Sequence, residues 1–307
     1  MESVKRIKEI SDSCIERWGT EDKNTKNLSN KIGKFISQLG DNVETGEILL
    51  SLLENYNYYS REKVNNILIS FYSKIKELDV PKYRTIYSRI EKDHKINSSS
   101  NLLEEFKIIN NIGNSFSHDL TKLQSNDLKD IDVIIFMDDI IGSGKTIIRF
   151  LKDNKEKLKD KSIIIFVIEI MEDGYINLKE YLKSIDCDHL ICFYNKTDKA
   201  FSENGVFKEK SSEKRLILHD FEANNVKAKN YVLGFQESEA LVSFYRNTPN
   251  NTLSSYWYSL NQNWKPLFPR DLDKPDFMKA SKGKKNIKYN LAKKLKEKGI
   301  DTKCNMI

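Results

Sequence analysis

The sequence of 307 residues has few cysteines and no long apolar run. Cys14, Cys187, Cys192 and Cys304 are scattered, without a Cys-x-x-Cys pair, so the sequence predicts reduced thiols rather than disulfides or a structural zinc site. No segment approaches the ~20 apolar residues that a membrane span needs. The first residues, MESVKRIKEISDSC, lack the apolar core of a secretory signal. We therefore expect a cytoplasmic protein with no membrane partner.

The excess of positive charge is confined to one part of the chain. The net charge is +6, from 51 lysines and arginines against 45 acidic residues. Between Asp271 and Lys303, eleven lysines stand against five acidic residues, which accounts for the whole excess. This Lys-rich tail, 271–303, suits a nucleic-acid partner bound through its phosphate backbone. A solvated helix face is the alternative, which we favour because the tail has no arginine and few aromatic residues.

Apolar spacing divides the chain into three parts. Residues 1–78 carry apolar side chains three or four positions apart, which predicts a helical N-terminal domain that binds protein partners. Residues 79–245 alternate helical segments with short, continuous β-branched runs. Residues 246–307 form an aromatic C-terminal extension followed by the Lys-rich tail. The sequence thus predicts a division into three parts, with the α/β domain in the middle.

The middle part predicts a mainly parallel sheet with helices on both faces. Strands of such a sheet are buried on both sides and therefore form continuous apolar runs. The runs are 84–90, 132–137, 162–170 and 190–194. Two more strands are expected at 231–235 and 240–245, around a glycine-containing turn. Ligands of such sheets bind at the carboxyl ends of the strands.

The segment DVIIFMDDIIGSGKT, residues 132–146, carries the chemistry. An apolar strand is expected to end at Asp138 and Asp139, and a helix to open at Gly142, Ser143, Gly144, Lys145 and Thr146. Amide groups and the helix dipole at such a start bind phosphate, and the hydroxyl and ammonium groups add donors. The two carboxylates suit the vicinal hydroxyls of a sugar, or Mg²⁺. The segment therefore predicts a ribose 5-phosphate group as the ligand.

Two other interpretations of this segment remain open. Gly-Ser-Gly-Lys-Thr is also the end of a P-loop, which would make the chain an ATP-binding protein. A P-loop requires glycine where this chain has Asp139, and the carboxylate would repel a triphosphate by roughly 1–4 kcal/mol at 4 Å for effective dielectrics of 80 to 20. The other interpretation is a tight turn that binds no ligand, although two carboxylates beside an anion-binding turn make a costly connection.

Four further residues are candidates for the wall of the same pocket. Glu169 ends the next apolar run, while Asn250, Asn251 and Trp257 lie in the extension. The asparagines and the indole suit contacts with a base. Alternatively, Glu169 simply precedes a turn, and the Pro-Asn-Asn run forms a turn whose side chains bond the local backbone.

The strand, the paired aspartates and the small-residue loop resemble the phosphoribosyl-pyrophosphate motif of the type I phosphoribosyltransferase family. The resemblance implies that Asp138 and Asp139 hold the ribose 2′ and 3′ hydroxyls and that residues 142–146 hold the 5′-phosphate. It implies phosphoribosyl pyrophosphate or a nucleotide as the ligand. Mg²⁺ would bind through that ligand and the two aspartates. Ser98-Ser99-Ser100 is the candidate for the family's pyrophosphate loop.

The C-terminal part supports a narrower resemblance. LGFQESEALVSFYRNTPNNTLSSYW, followed by WKPLFPR, is similar to a bacterial subfamily with a C-terminal extension, and the resemblance spans about 84–270. Relatives of that kind occur in anti-phage conflict systems, some beside retron-type reverse transcriptases. The implied function is glycosyl transfer at ribose C1 by a defence effector or component. A catalytically inactive module that senses the ligand and signals through the N-terminal helices, and a nucleic-acid adaptor, are the alternatives.

Overall fold

The computed structural model describes most of the chain. The described residues are 2–19, 22–90, 98–185, 187–260 and 264–270. The Lys-rich tail, and with it the expected nucleic-acid interface, lies outside them.

The N-terminal part is helical, as its apolar spacing predicts. Its helices are α1 (Glu2–Trp18), α2 (Leu28–Ser37), α3 (Val43–Leu53) and α4 (Arg61–Glu77). Ser60 begins α4 as an N-cap, since its hydroxyl accepts a hydrogen bond from the Lys63 backbone N–H. A short strand, β1 (Asn57–Tyr59), precedes this helix and was not predicted.

A five-stranded parallel sheet forms the centre of the molecule. Its strands are β2 (Thr85–Arg89), β3 (Ser117–His118), β4 (Val133–Ile141), β5 (Ser162–Met171) and β6 (His189–Thr197). They lie in the order β3-β2-β4-β5-β6, and every pairing is parallel. The chain runs outward from β2 to β3 on one side and from β4 on the other. The carboxyl ends of β2 and β4 therefore flank a topological switch point, where ligands of such sheets bind.

Helices cover both faces of this sheet, which confirms the expected α/β class. The remaining helices are α5 (Ser98–Ile109), α6 (Lys145–Asp153), α7 (Lys155–Leu158), α8 (Glu172–Ser184) and α9 (Ser211–Asn225). Side chains of β4 alternate between two cores. Ile135 and Met137 join the core that includes α4 and α5, whereas Ile134 and Phe136 join the core that includes α6 and α8.

The end of the middle part returns to the N-terminal part of the chain. There strand β7 (Val242–Phe244) pairs in parallel with β1. The prediction of another strand, at 231–235, is wrong. Leu233 and Gly234 have φ angles of 54° and 83°, in the left-handed region, which an extended strand cannot accommodate. The segment forms turns instead.

Aromatic stacking fixes the end of the extension. The Phe268 ring lies 5.0 Å from Tyr56 and 5.5 Å from Tyr58, and Trp264 lies 5.3 Å from Phe35. Residues Met1–Arg270 accordingly form one compact unit. The boundaries expected at 78/79 and 245/246 stay predictions. Among the described helices, none has the length and apolar character to cross a membrane.

Candidate functional site

Strand β4 continues through the aspartate pair instead of ending there. Asp138 lies opposite Val167 of β5, and Ile140 lies opposite Glu169. The strand ends at Ile141, two residues beyond the end expected at Asp139. The reason is that Ile141, which is 3% exposed, still packs in the core beneath α6 and α8. The pairing holds both aspartates on a rigid element at the switch point.

The connection from β4 to α6 is a tightly packed glycine turn. Gly144 is the N-cap of α6 and has a φ of +76°. A Cβ on Gly142 would lie 2.4 Å from Asn251 Nδ2, and a Cβ on Gly174 of α8 would lie 2.1 Å from the Gly142 carbonyl oxygen. Neighbouring segments therefore pack closely against the turn on both sides. Lys145 and Thr146, at the start of the helix, are exposed.

A cavity of about 790 Å³ opens at the carboxyl ends of β2 and β4. Every residue expected to bind the ribose phosphate lines it. These residues are Asp138, Asp139, Gly142, Ser143, Gly144, Lys145 and Thr146. The structure thus brings the carboxylate pair and the amide-rich turn to one space.

The two carboxylates accept few hydrogen bonds from the residues that the structure describes. Asp138 accepts from the Asp139 backbone N–H at 3.0 Å and from Ser98 Oγ at 3.4 Å. Asp139 accepts from the Ile140 backbone N–H at 2.9 Å. Burial raises the pKa of both carboxyl groups, and the neighbouring Asp139 charge raises the pKa of Asp138 further. Both side chains keep acceptor capacity for a ligand.

The three serines expected to form a pyrophosphate loop instead form the first turn of α5. Ser98 lines the cavity. Ser99 is buried, where it accepts from the Ile90 N–H at 2.9 Å and donates to the Met137 carbonyl at 2.6 Å. Ser100 is absent from the described lining of the cavity. Serine favours helix starts because its hydroxyl bonds nearby backbone groups, and here Ser99 ties β2 to β4. The preceding residues, 91–97, lie outside the described part of the chain.

The structure does not bring Glu169 to the cavity lining. Its side chain is buried in β5, where it accepts four side-chain hydrogen bonds. The donors are Asn57 at 3.2 Å, Asn195 at 3.2 Å, Thr197 at 2.9 Å and the Tyr59 hydroxyl. These donors come from β1 and β6, so Glu169 links the N-terminal part to the sheet.

The candidates in the extension divide in the same way. Asn250 and Asn251 line the cavity. Trp257 is 2% exposed, and its indole N–H donates to the Thr252 carbonyl at 2.7 Å. Trp257 therefore lies behind the cavity wall, because the buried N–H finds its acceptor in the extension itself.

Three arginines that sequence reasoning missed also line the cavity. They are Arg149 of α6 and, from the extension, Arg246 and Arg270. A single arginine forms no pattern that marks it as a ligand-binding residue in the sequence. The one available signal is that Arg270 ends the WKPLFPR segment on which the family resemblance rests.

A comparison with known protein families identifies the family of this chain. The family model PRTase-CE matches residues 32–270. The chain belongs to the PRTase-CE family. The match supports a phosphoribosyltransferase-like family with a C-terminal extension, which confirms the resemblance seen in the sequence. No curated protein and no solved structure matches the chain.

A second cavity of this PRTase-CE chain, about 330 Å³, lies at the carboxyl ends of β5 and β6. The residues that line both cavities are Gly142, Ser143, Lys145, Phe235, Gln236 and Asn251. The described lining of the second cavity carries four acidic and three basic side chains, whereas that of the first carries two acidic and four basic ones. The charge balance therefore favours an anionic ligand in the first cavity.

Volume alone does not identify the site of this PRTase-CE protein. A depression of about 800 Å³ lies between α1 and α2. Its described lining includes Asp12 and Glu16 but no cationic side chain. Such a lining does not suit a phosphate.

The turn of this PRTase-CE chain also differs from a P-loop. A P-loop places four residues between its first glycine and the Gly-Lys-Ser/Thr end, all wrapping the phosphates. Here Asp139 stands at the first glycine position and lies within β4, and two of the four residues that follow it, Ile140 and Ile141, are also strand. The glycine turn is shorter than the cradle for a triphosphate.

Proposed function

We propose that the chain is a phosphoribosyltransferase-like protein that binds phosphoribosyl pyrophosphate, or a nucleotide, in the cavity at the ends of β2 and β4. One observation carries this proposal. The carboxylates of Asp138 and Asp139, with spare acceptor capacity, line the same cavity as the amide-rich turn at 142–146. A role in bacterial anti-phage defence belongs to the proposal and is supported only by the resemblance of the extension.

The turn and the aspartates would bind opposite kinds of group. Backbone N–H groups at the start of α6, with the helix dipole, stabilise the 5′-phosphate, and Lys145 adds a screened positive charge. The carboxylates of Asp138 and Asp139 accept hydrogen bonds from the ribose 2′ and 3′ hydroxyls. Binding at both ends fixes the orientation of the sugar ring and of its anomeric carbon.

The donor set also fits magnesium that arrives with the ligand. Mg²⁺ takes oxygen ligands and commonly combines one or two carboxylates with substrate phosphates and water. Asp138 and Asp139 offer such oxygens in the cavity. When bound, Mg²⁺ would neutralise the phosphate charge, while the side chains of this chain position the sugar.

In an active enzyme, a nucleophile forms a bond to ribose C1, and the C1–O bond to pyrophosphate breaks with its electron pair leaving on the pyrophosphate. The chain's contribution would be to hold the reacting carbon in place and to stabilise the departing charge.

A ligand-sensing module is the second candidate, and the Glu169 contacts favour it. Asn57 and Tyr59 of β1 donate hydrogen bonds to Glu169, which lies opposite Ile140, the residue after Asp139. The N-terminal helices are therefore connected to the strand that carries the aspartate pair. A ligand that shifts β4 would thus change the position of the N-terminal helices through these contacts.

The decisive experiment mixes the protein with phosphoribosyl pyrophosphate and MgCl₂. Thermal unfolding reports binding, and pyrophosphate release reports transfer. A shift with release supports an enzyme, and a shift without release supports a sensor. Both should disappear in Asp139→Asn and survive in Asp132→Asn, which alters an exposed, ion-paired aspartate just before β4, at its opposite end. A wild-type protein that shows neither shift nor release would refute the proposal.

A further inference from the structure

The cavity receives two arginines from the extension, on elements fixed by packing. Arg246 follows β7, and Arg270 follows the stacked Phe268. The Phe268 backbone N–H donates to the Tyr256 carbonyl at 2.8 Å, and its own carbonyl accepts from Thr248 Oγ1 at 2.9 Å. The backbone next to Arg270 is thereby held in place. Both arginines line the cavity.

Arg270 is charged and half-buried, and it has no carboxylate partner in the described part of the chain. Its guanidinium lies 5.8 Å from the centre of the Trp257 ring and donates to the Thr248 carbonyl at 3.2 Å. Within the described residues, no carboxylate lies within 4.0 Å of it. Burial lowers its pKa, which shows the cost of desolvating this charge, although arginine stays protonated. A guanidinium has five donors, and among the described residues the Thr248 carbonyl is the one acceptor found for Arg270.

Arg246 lines the same cavity as Arg270. It donates to Glu105 of α5 at 2.6 Å, and its guanidinium lies 5.3 Å from the centre of the Tyr245 ring. One face and one edge of the group are thus fixed. Arg is suited to this position because its planar fork binds phosphate through paired hydrogen bonds.

The two arginines line the same cavity as the aspartate pair, and no ion pair joins them to it among the described contacts. The positive charge of Arg246 opposes the rise in the pKa of Asp139, and the negative charge of Asp139 likewise acts on Arg270. Neither arginine, however, forms an ion pair with Asp139 among the described contacts. The cavity therefore offers a ligand carboxylates that can accept from its hydroxyls and guanidinium groups that can bind its negative charge.

We propose that Arg246 and Arg270 form a second anion subsite, which binds the diphosphate group of a ligand whose other phosphate lies on the turn at 142–146. The inference rests on the proposed function for the position of the first phosphate. It assigns the ligand to a class, a sugar with phosphate groups at both ends, and it gives the C-terminal extension a role in binding. The serine triplet at the start of α5, with Ser99 buried, is then not the main contact of the diphosphate.

The test compares two ligands that differ only in the diphosphate. Binding of phosphoribosyl pyrophosphate and of ribose 5-phosphate is measured by calorimetry at fixed MgCl₂, for the full chain and for Arg246→Gln/Arg270→Gln. Two charge-assisted contacts predict at least a roughly 30-fold loss of affinity for phosphoribosyl pyrophosphate and less than a roughly threefold loss for ribose 5-phosphate. Arg84→Gln removes an exposed arginine just before β2, remote from the carboxyl ends of the strands, and should change neither affinity.

Each outcome decides the matter. Equal losses for both ligands, or no loss, would overturn the subsite while leaving the proposed function in place. A wild-type protein that binds neither ligand would overturn the proposed function and the subsite together. If the double variant unfolds below the assay temperature, Arg246→Gln alone should show a selective loss of roughly five- to tenfold, and its absence would overturn the inference.

Discussion

Glu169 and the Asp138–Asp139 pair lie on neighbouring strands, and the protein surrounds them differently. Glu169 is 1% exposed and accepts hydrogen bonds from four side chains. The aspartates are half-buried and accept from two backbone groups and one serine. Burial raises the pKa at all three positions.

The difference separates a structural carboxylate from a binding one. A carboxylate that the protein supplies with donors stabilises the fold, because the charge loses water but gains fixed hydrogen bonds. A carboxylate that is desolvated and accepts few hydrogen bonds from the protein can still accept hydrogen bonds from a ligand. Its burial lowers the stability of the fold. Sites of this kind are expected where a protein binds polar ligands.

The largest effect is expected at Glu169. Glu169→Ala would leave the buried Tyr59 hydroxyl, among other donors, without its acceptor. Unsatisfied buried donors cost about 1–3 kcal/mol each, so we expect the free energy of unfolding to fall by about 3 kcal/mol or more. Glu169→Gln, which keeps one acceptor oxygen, should lose less. Urea denaturation measures both, and a loss below about 1 kcal/mol for the alanine variant would show that the network is unimportant.

The glycine turn allows a sharper contrast of packing. The Cβ of Gly174→Ala would meet the Gly142 backbone oxygen at 2.1 Å, so we expect a loss of about 2 kcal/mol in unfolding free energy and weaker ligand binding. Gly33→Ala in α2 is the matched control, because no atom lies within 4 Å of its added Cβ. It should stabilise the protein by up to about 1 kcal/mol. A Gly174→Ala variant with unchanged stability and affinity would contradict the tight packing of the turn.

The aspartate pair should reveal itself in the pH dependence of stability. Folding raises the pKa of Asp138. The contribution of this carboxyl group to the free energy of unfolding is therefore fully present below the unfolded pKa of about 3.9, and it is lost as the pH rises through the folded pKa. Asp138→Asn should therefore gain stability relative to wild type as the pH rises from 4 to 8. We expect a gain on the order of 1 kcal/mol, since water in the cavity screens the pair. If the variant is less stable than wild type at neutral pH, Asp138 stabilises the fold, as Glu169 does, and the contrast between them is wrong.

The smallest effect is expected at Lys145. Its ammonium group is exposed and donates to Gln236 at 3.2 Å. Lys145→Gln should weaken ligand binding by no more than about fivefold, and the difference should shrink at high salt. Calorimetry at 50 mM and 500 mM NaCl tests this, and a large loss that salt does not change would mean a direct, desolvated contact.

The sequence predicts the central strands and the turn because their signals are local. The apolar run of β4, the aspartates and the glycines lie together at 132–146, and each is recognisable without the rest of the chain. Helix α9 was missed because, of its three buried residues, only Leu218 is apolar. The turn at Leu233 was missed because its left-handed backbone leaves no pattern in an apolar segment.

Long-range contacts account for the rest. The donors to Glu169 come partly from β1, which was not predicted and whose partner β7 is far away in the chain. Arg270 reaches the cavity because Phe268 stacks on Tyr56 and Tyr58. Neither arrangement has a signature in local spacing. The arginines of the cavity therefore become visible only in the folded chain.

The most direct test is the ligand-induced shift of thermal unfolding in Asp138→Asn/Asp139→Asn, beside wild type and Glu169→Gln. At about 100 times the Kd, phosphoribosyl pyrophosphate with MgCl₂ should raise the wild-type midpoint by roughly 5 °C. Without ligand, the aspartate double variant should unfold at or above the wild-type midpoint, and ligand should not raise that midpoint. Glu169→Gln should unfold at a lower midpoint, which ligand should still raise. A shift that persists in the double variant, or that is lost in Glu169→Gln, would contradict the assignment of the aspartate pair to the ligand.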